Sequence, residues 1–428
     1  MTDVRAFRAL RYDPARVDLG RVVVPPYDVI ADHERAAYWD SDPHNAIRLE
    51  LTRDAADEAA TDYADVRTTL AAWRRDGALR RDPRPALYAL RQRFRAPDGR
   101  EHVRDGFFGA LVLEDYDRRV VRPHERTLSG PKADRLKLFR ASAANLSSVF
   151  LLYEDERSEL NALLGQWLER GPAAVATDAS GVENRLVAIE DRDAIDRIRG
   201  FLASRAVVIA DGHHRYETAL AYRDERRKED PAAGPEAPFE RTLAYFANAY
   251  APGTLLLPIH RVVRAVPAPD DAGWSRLLPG WTQERVALPG VDALPKLLET
   301  HLAPLADHHA FAADDGSGTL RVFSRPRRPG DDLSIRVLHV EVLRGVFGLD
   351  DAAVRDGAVA FPKHAPEAAR EVRERRGTVA LYLNPLAAED VFRVTGAGEI
   401  LPQKSTFFFP KLPSGLLFRL LDAEDAAA

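Results

Sequence analysis

The fold of this chain is decided by the stretch Ala206-Val207-Val208-Ile209-Ala210-Asp211-Gly212-His213-His214-Arg215-Tyr216-Glu217-Thr218-Ala219-Leu220. Its first five residues are all apolar, which predicts a buried strand, and Asp211-Gly212 then interrupts the run. From His213 onward, related side chains recur three and four positions apart, as they do along one face of a helix. We therefore expect a strand, a tight turn and a helix.

The predicted turn carries side chains suited to an anion. His213, His214 and Arg215 fall on the first helical turn, where free backbone N–H groups and the positive end of the helix dipole also lie. Basic side chains at this end oppose the dipole of an isolated helix. A bound phosphate would neutralise them, and a neighbouring acidic loop is the alternative. The pattern favours an anion site at Gly212.

The composition is that of a soluble globular protein. A length of 428 residues predicts two or three domains, and the net charge of -5 gives no general attraction for nucleic acid or acidic membranes. The absence of cysteine excludes disulfides, thiolate nucleophiles and cysteine-based metal sites. No apolar run is long enough to span a bilayer, and residues 1–5 lack the apolar core of a signal peptide. We expect a cytoplasmic protein without a membrane partner, and nucleic acid is disfavoured as a partner.

The order of predicted elements indicates an α/β protein of the α+β type in three parts. Residues 1–83 are predicted to be an N-terminal α/β segment, residues 84–264 a mixed-sheet, phosphate-binding core, and residues 265–428 a C-terminal α/β domain. The second boundary lies where the chain becomes rich in Pro, Asp and Gly. Residues 21–30 and 44–50 are predicted to be strands, and His308-His309 a solvated loop.

Glu125 is the second candidate for chemistry. It follows a short apolar segment and Pro123, with His124 beside it and with Arg122 and Arg126 as candidate phosphate- or nucleotide-binding residues. A carboxylate at the exit of a strand can act as a general base for a hydroxyl group or as a ligand to magnesium. A surface cluster of salt bridges is the alternative interpretation.

Two further segments carry candidate binding residues. Near the C-terminus the aromatic run 407–409 is flanked by polar side chains, namely Lys404, Ser405, Thr406 and Lys411. These would add charge and hydrogen-bond donors to a phosphate pocket, or the aromatic residues are core and the lysines lie on the surface. Near the N-terminus, Pro25-Pro26 presents Tyr27 and Asp28 from a stiff turn, which suits a substrate site or the closing of a sheet edge. His260 either lines the same cleft or is a core histidine.

Six motifs together resemble a bacterial family of unknown function, DUF1015. They are Pro25-Pro26-Tyr27-Asp28-Val29-Ile30, His44-Asn45-Ala46-Ile47-Arg48-Leu49, Arg122-Pro123-His124-Glu125-Arg126-Thr127, Asp211-Gly212-His213-His214-Arg215-Tyr216-Glu217-Thr218-Ala219, Leu257-Pro258-Ile259-His260-Arg261, and Pro402-Gln403-Lys404-Ser405-Thr406-Phe407-Phe408-Phe409-Pro410-Lys411-Leu412. The resemblance runs nearly from end to end and its last motif is long, so it is specific. The family supplies no function of its own.

A looser resemblance does imply a function. Residues 211–215 look like the phosphate-binding turn of the ParB/sulfiredoxin superfamily, which includes free-serine kinases with an upstream His-Glu pair. The resemblance implies a ParB/sulfiredoxin-like core in which Glu125, beside His124, takes the proton from a substrate hydroxyl. It also implies that Asp211 holds magnesium or orients phosphate, and that the side chains of 213–215 grip the phosphates. Here the two motifs lie further apart in the chain than in those compact kinases.

These observations predict a phosphotransferase for a small hydroxylated metabolite, similar to a serine kinase and using Mg²⁺ with ATP or ADP. A phosphatase for a phosphoserine-like monoester is one alternative, and a non-catalytic nucleotide sensor or ParB-like regulatory module is another. No Walker A motif and no GxGxxG after a strand occur. Zinc is disfavoured because adjacent helical histidines point about 100° apart. A Ser/His/Asp triad is not excluded by composition, but no GxSxG elbow occurs.

Overall fold

A computed structural model describes residues 1–53, 61–125, 129–171, 173–264, 266–328 and 330–422. The chain divides into two compact units. The first contains Met1–Leu255, Thr395–Ile400 and Pro410–Ala428, and the second contains Leu256–Val394 and Leu401–Phe409. The first unit therefore includes the predicted boundary at 83/84, and the chain leaves it at Leu255, nine residues before the boundary predicted at 264/265. The C-terminal segment also differs from the prediction, because its last part returns to the first unit.

The strands and helices of the first unit are numbered in chain order. The strands are β1 (Val4–Arg5), β2 (Leu10–Tyr12), β3 (Leu79–Arg81), β4 (Leu87–Arg95), β5 (Glu101–Val112), β6 (Val121–Arg122), β7 (Ala144–Asn145), β8 (Val149–Tyr153), β9 (Ala174–Thr177), β10 (Glu183–Ile189), β11 (Val207–Asp211) and β12 (Arg241–Asn248). The α-helices are α1 (Leu19–Val22), α2 (Asp32–Ser41), α3 (Ile47–Glu50), α4 (Ala64–Arg75), α5 (Ser129–Ser142), α6 (Glu159–Arg170), α7 (Arg192–Ala203) and α8 (His213–Glu229). Short 3₁₀ helices cover Tyr27–Val29, Tyr116–Arg118 and Pro238–Glu240.

The main sheet of the first unit is mixed, with the strand order β6-β11-β8-β12-β5-β4-β10-β9 and with β1 beside β5. Strand β11 runs parallel to β6 and antiparallel to β8, and β12 runs parallel to β8. Residues 207–210 are all buried because β11 lies inside the sheet. Leu164 of α6, Ile198 of α7 and Tyr216 of α8 share one hydrophobic core with it. The predicted α+β class with a mixed sheet is confirmed.

The second unit contains its own antiparallel sheet. Its strands are β13 (Leu255–Leu257), β14 (Arg261–Val263), β15 (Thr282–Ala287), β16 (His308–Asp314), β17 (Thr319–Pro326), β18 (Val359–Ala360), β19 (Val379–Leu383) and β20 (Phe407–Phe409), and its helices are α9 (Asp271–Leu277), α10 (Leu294–Leu297), α11 (Ser334–Val337), α12 (Asp351–Ala353), α13 (Ala365–Arg373) and α14 (Ala388–Gly396). Helices of 3₁₀ type cover Val291–Ala293 and Ala303–Leu305, and π-helices cover Leu298–Leu302, Leu338–Arg344 and Val354–Ala358. The sheet order is β15-β17-β16-β19-β14-β18.

After residue 410 the chain contributes to the first unit again. Strand β21 (Arg419–Leu420) pairs with β7, and Ser414 forms a bridge with Val24. Phe418, immediately before this strand, is fully buried in the second hydrophobic core of this unit, which also contains Trp73 of α4 and Leu10 of β2. The residues just after the predicted aromatic motif are therefore interior parts of the first unit.

Three local predictions are wrong. Residues 21–30 are not a strand, because α1 begins after Asp18, whose side chain accepts from the Gly20 N–H, and a 3₁₀ helix follows Pro26. Residues 44–50 contain the short helix α3, which the Asn45 side chain starts by accepting from the Ile47 N–H. His308 and His309 are not in a solvated loop. They open β16, and His309 is fully buried.

Candidate functional site

The turn between β11 and α8 has the predicted form. β11 ends at Asp211, where its register against β8 shifts, and α8 begins at His213. Gly212 between them has φ +88°, a left-handed conformation that side chains with a Cβ rarely adopt. A Cβ there would also lie 3.4 Å from Val149 Cα and Arg215 Nη1. Glycine is therefore the residue that this strand–turn–helix connection requires.

Asp211 is held between two cations. Its Oδ1 accepts a hydrogen bond from Lys411 Nζ, and its Oδ2 accepts from Arg215 Nη2 at 3.2 Å. Burial by itself would raise the pKa of Asp211, but Lys411 and Arg215 outweigh it, so the pKa is lowered. The carboxylate is thus ionised at neutral pH and fixes the positions of both cations at the end of β11.

Arg215 connects this turn to the N-terminal segment. Its guanidinium is buried, donates from Nη1 to the Ser148 carbonyl at 2.5 Å, and lies 3.6 Å from Asp28 Oδ1. The carbon at the centre of the guanidinium is 5.7 Å from the centre of the Tyr27 ring. Burial would lower the pKa of Arg215, but Asp211 and Asp28 raise it. The predicted substrate residues Tyr27 and Asp28 are therefore brought to the Asp211 turn.

His124 and Glu125 also lie at this turn, because β6 runs parallel to β11. The backbone N–H of His124 donates to His213 Nε2 at 3.2 Å, and the two rings are 4.6 Å apart between centroids. His124 Nδ1 lies 2.5 Å from the Ile209 carbonyl, and its Nε2 lies 3.8 Å from Glu125 Oε1. The structure thus brings together the two motifs that the sequence placed in one cleft.

The histidines of the first helical turn are less basic than the sequence suggests. Desolvation and, second, the nearby His124 lower the pKa of His213 to about 3. His213 is therefore neutral, and since Nε2 accepts from His124, Nδ1 carries the proton. Desolvation also lowers the pKa of His214. The fixed positive charge of the site comes from Arg215 and Lys411, and His213 offers a neutral N–H donor.

The remaining predicted residues have different surroundings. Arg122 donates from Nε to the Arg119 carbonyl at 3.2 Å, and Arg126 lies outside the described residues. Lys404, Ser405 and Thr406 belong to the second unit, as does His260, so their role at the Asp211 turn stays a prediction. Ser405 Oγ donates to the Pro402 carbonyl at 2.5 Å.

His260 has the environment of a core histidine. It is 5% exposed, and its Nδ1 accepts from the Leu383 N–H at 3.4 Å. Its ring packs edge-on against Tyr382, with 5.4 Å between centroids. Desolvation lowers the pKa of His260 to about 3, so it is neutral. Of the two interpretations of His260, this environment favours the core.

Comparison with known proteins identifies the family. The model of the family described as "Protein of unknown function (DUF1015)" matches residues 4–277. The chain belongs to the DUF1015 family. No curated protein matches this DUF1015 member.

Several solved structures are similar to this DUF1015 protein at low identity. A conserved hypothetical protein from Pyrococcus furiosus has 12% identity and a TM-score of 0.33, covering 74% of this chain and 95% of its own. A variant of free serine kinase in complex with ADP has 12% identity and a TM-score of 0.33, covering 71% and 86%. SbnI from Staphylococcus aureus, truncated at its C-terminus, has 12% identity and a TM-score of 0.35, covering 73% and 89%. Likenesses this distant carry no argument about activity.

Asp211 of this DUF1015 protein is a poor direct ligand for magnesium. Both of its oxygens already accept hydrogen bonds from cations. Mg²⁺ is usually bound through one or two carboxylates together with waters and phosphate oxygens, and two neighbouring cations repel it. Among the described residues, no group of three or more His, Asp or Glu side chains could hold a metal ion. The role of Asp211 as a magnesium ligand stays a prediction; in the structure its two oxygens accept from Lys411 and Arg215.

Two arginines near the site have no local signal in the sequence. Arg104, in the middle of β5, is fully buried; it donates to Gln92 Oε1 and, at 2.7 Å, to the Pro410 carbonyl, next to Lys411. Arg135 of α5 lies 4.2 Å from the centre of the Tyr27 ring and 3.5 Å from Glu50 Oε2. Their partners are distant in sequence, so only the fold reveals them.

Within the part of the chain that the structure describes, no helix is long and apolar enough to cross a membrane.

Proposed function

We propose that this DUF1015 protein is a phosphotransferase that transfers a nucleotide phosphate to a small hydroxylated metabolite, with serine as the first candidate. The observation that supports this most is the approach of Glu125 to His213, because it puts a carboxylate next to a helix start of the kind that binds phosphate. The motif resemblance of residues 124–125 and 211–215 to free-serine kinases points the same way. We expect a cytoplasmic location, where ATP and ADP are available.

In this proposal the phosphate lies against the first turn of α8. The backbone N–H groups there and the neutral Nδ1–H of His213 would donate to its oxygens. Arg215 and Lys411, held by Asp211, would offset its negative charge, and such fixed cations stabilise the charge of a phosphoryl-transfer transition state. No step is assigned to a metal ion bound by Asp211.

Glu125 is the proposed general base. It would accept the proton of the substrate hydroxyl while the new bond forms between that oxygen and phosphorus and the bond from phosphorus to the nucleotide oxygen breaks. The Glu125 side chain is 23% exposed, so a substrate can reach it, and His124 Nε2 beside it can donate to it when protonated. Tyr27 and Asp28, on the Arg215 side of the turn, are the proposed substrate contacts.

The test measures transfer and binding separately. Purified protein is incubated with ATP or ADP and serine, with and without Mg²⁺, and products are followed by phosphorus NMR. Glu125→Gln is expected to reduce transfer by about a hundredfold or more, while the nucleotide Kd measured by calorimetry stays the same. Glu156→Gln, on the exposed surface of the same unit, is the matched control.

Each other outcome of this experiment has a defined meaning. Equal transfer by Glu125→Gln and the native protein would show that the assigned base is wrong. Release of phosphate from phosphoserine without any nucleotide would replace the proposal with a phosphatase. Nucleotide binding without any turnover would replace it with a sensor.

A further inference from the structure

A second group of chemically matched side chains lies in the second unit, around His309. This histidine is in β16 and fully buried. Its Nδ1 lies 3.0 Å from Ser334 Oγ, and its Nε2 lies 3.0 Å from Asp331 Oδ2. Serine, histidine and aspartate are thus joined in one chain of two hydrogen bonds. The sequence did not reveal it, because the histidine is in a strand and no GxSxG motif surrounds the serine.

The direction of these hydrogen bonds follows from the chemistry of the groups. The backbone N–H of Arg328 and then the ring of His309 lower the pKa of Asp331, so its carboxylate is ionised and can only accept. Nε2 of His309 must therefore carry a proton. Desolvation lowers the pKa of His309, so the ring is neutral and its Nδ1 has a lone pair. Ser334 then donates its hydroxyl proton to Nδ1.

This polarity is the one that activates a serine for nucleophilic attack. A serine attacks well when its proton is hydrogen-bonded to a neutral imidazole whose other nitrogen donates to a carboxylate. The other acceptor near Ser334 Oγ is the His308 carbonyl, which at 3.4 Å is the longer contact. Here the serine hydroxyl donates to Nδ1 of the histidine, whereas in the serine-protease triad it donates to Nε2. The role of each residue is the same in both arrangements, and such triads are recognised by geometry and roles.

Ser334 also lines a cavity. It is the first residue of α11, is only half-buried, and shares the cavity with apolar side chains that include Ile259, Leu383 and Leu386. The exposed side chain of Arg327 lines the same cavity and donates from Nε to the His308 carbonyl at 3.3 Å. Ser334 therefore borders a space that has apolar lining residues and the side chain of Arg327.

We propose that Ser334 is the nucleophile of a hydrolytic site for short-chain carboxylic esters, with His309 as general base and Asp331 as its orienting carboxylate. Ser334 Oγ bonds to the acyl carbon while its proton moves to His309 Nδ1. The bond from the acyl carbon to the alcohol oxygen breaks, and His309 returns the proton to the departing alcohol. Water then attacks the acyl-serine with His309 again taking a proton, which releases a carboxylic acid and regenerates Ser334.

The apolar wall would receive the acyl chain of such an ester. Arg327 is the group placed to stabilise the negative charge that develops on the carbonyl oxygen. Every residue of this proposal belongs to the second unit, so it does not depend on the function of the Asp211 turn.

The test is covalent labelling of the full chain with a fluorophosphonate probe, followed by mass spectrometry of the labelled peptide. We expect the probe on Ser334 in the native protein. We expect no label at that peptide in Ser334→Ala. Ser275→Ala, an exposed serine of the same unit whose Oγ donates to the Asp271 carbonyl, should leave the labelling unchanged.

Asp331→Asn keeps the size of the side chain and an oxygen that can still accept from the Arg328 N–H, but removes the carboxylate charge beside His309. Unchanged urea unfolding of the variant is therefore required before its labelling rate is compared with that of the native protein. If the relay is functional, the labelling rate and the hydrolysis of p-nitrophenyl acetate should fall by about a hundredfold or more, as expected when the imidazole loses its orienting carboxylate. Native protein without label at Ser334, or Asp331→Asn labelled as fast as native protein, would show that the three residues only fasten the loop to β16.

Discussion

The backbone N–H of His124 donates to Nε2 of His213 at 3.2 Å, although the two residues are 89 positions apart in the chain. This hydrogen bond joins the end of β6 to the start of α8 and makes His213 Nε2 an acceptor. This hydrogen bond therefore links the first turn of α8, where a phosphate would bind, to the segment that carries Glu125. A substitution that removes the hydrogen bond should destabilise both segments.

His213→Leu tests this connection. The substitution removes the acceptor of the His124 N–H, so the free energy of unfolding should fall by about 1–2 kcal/mol. Urea unfolding measures it. His33→Leu, on the exposed face of α2, is the control and should change the stability by less than about 0.5 kcal/mol. Equal stability of both variants would mean that the hydrogen bond does not hold the two segments together.

Lys411→Met tests the source of positive charge at the Asp211 turn. The variant keeps the length of the side chain and leaves Arg215 as the cation on the Asp211 carboxylate. Affinity for ADP or inorganic phosphate should fall about tenfold, equivalent to about 1.4 kcal/mol. Calorimetric titration measures the Kd, and Lys296→Met, on an exposed helix of the second unit, is the control. An unchanged Kd would show that Lys411 does not contribute to anion binding and only pairs with Asp211.

Two glycine-to-alanine substitutions should have opposite effects on stability. Gly212→Ala forces a side chain into a conformation with φ +88°, which should cost about 1–2 kcal/mol. Gly200→Ala, at an exposed position in the last turn of α7 with open space around it, should stabilise by about 0.5–1 kcal/mol because alanine favours the helix. Thermal and urea unfolding of both variants check the signs. A stabilised Gly212→Ala would contradict the strained turn.

The buried His260 should make the stability pH-dependent. Its pKa is about 3 in the folded protein against 6.5 for the free side chain, so between these values the unfolded chain binds a proton that the folded chain does not. The free energy of unfolding should therefore decrease as the pH falls from 6.5 towards 3, by up to about 1.4 kcal/mol per pH unit from this residue.

His260→Gln should make this slope shallower than that of the native protein. Urea unfolding at a series of pH values between 7 and about 4 measures it. Identical slopes for native protein and His260→Gln would show that His260 is protonated in the folded state and is not the neutral core residue described above.

The sequence predicts the centre of this site well because its signals are local. Residues 206–210 form a continuous apolar run, and Asp211-Gly212 ends it, which leaves little choice besides a buried strand and a turn. The same reasoning failed for residues 44–50. Their alternation of polar and apolar side chains fits a single helical turn as well as a strand. The helical turn forms because the Asn45 side chain accepts from the Ile47 N–H at its start.

Contacts between distant residues could not be predicted in this way. The pairing of Lys411 with Asp211 spans 200 positions and leaves no periodic pattern in either segment. Sequence reasoning placed Lys411 among phosphate-binding candidates only by its motif. The burial of His309 is also a property of its sheet, since a His-His pair before an apolar run fits a loop as readily as the first residues of a strand.

The return of residues 410–422 to the first unit has a consequence for biosynthesis. Lys411 is made 200 residues after Asp211, and the chain from 256 to 394 forms the second unit in between. A ribosome-bound chain that ends before residue 411 has the strand, the turn and the helix but not the lysine. The Asp211 turn therefore receives this lysine only after residue 411 has been made, so a translation product that stops earlier should carry the motif without its full charge.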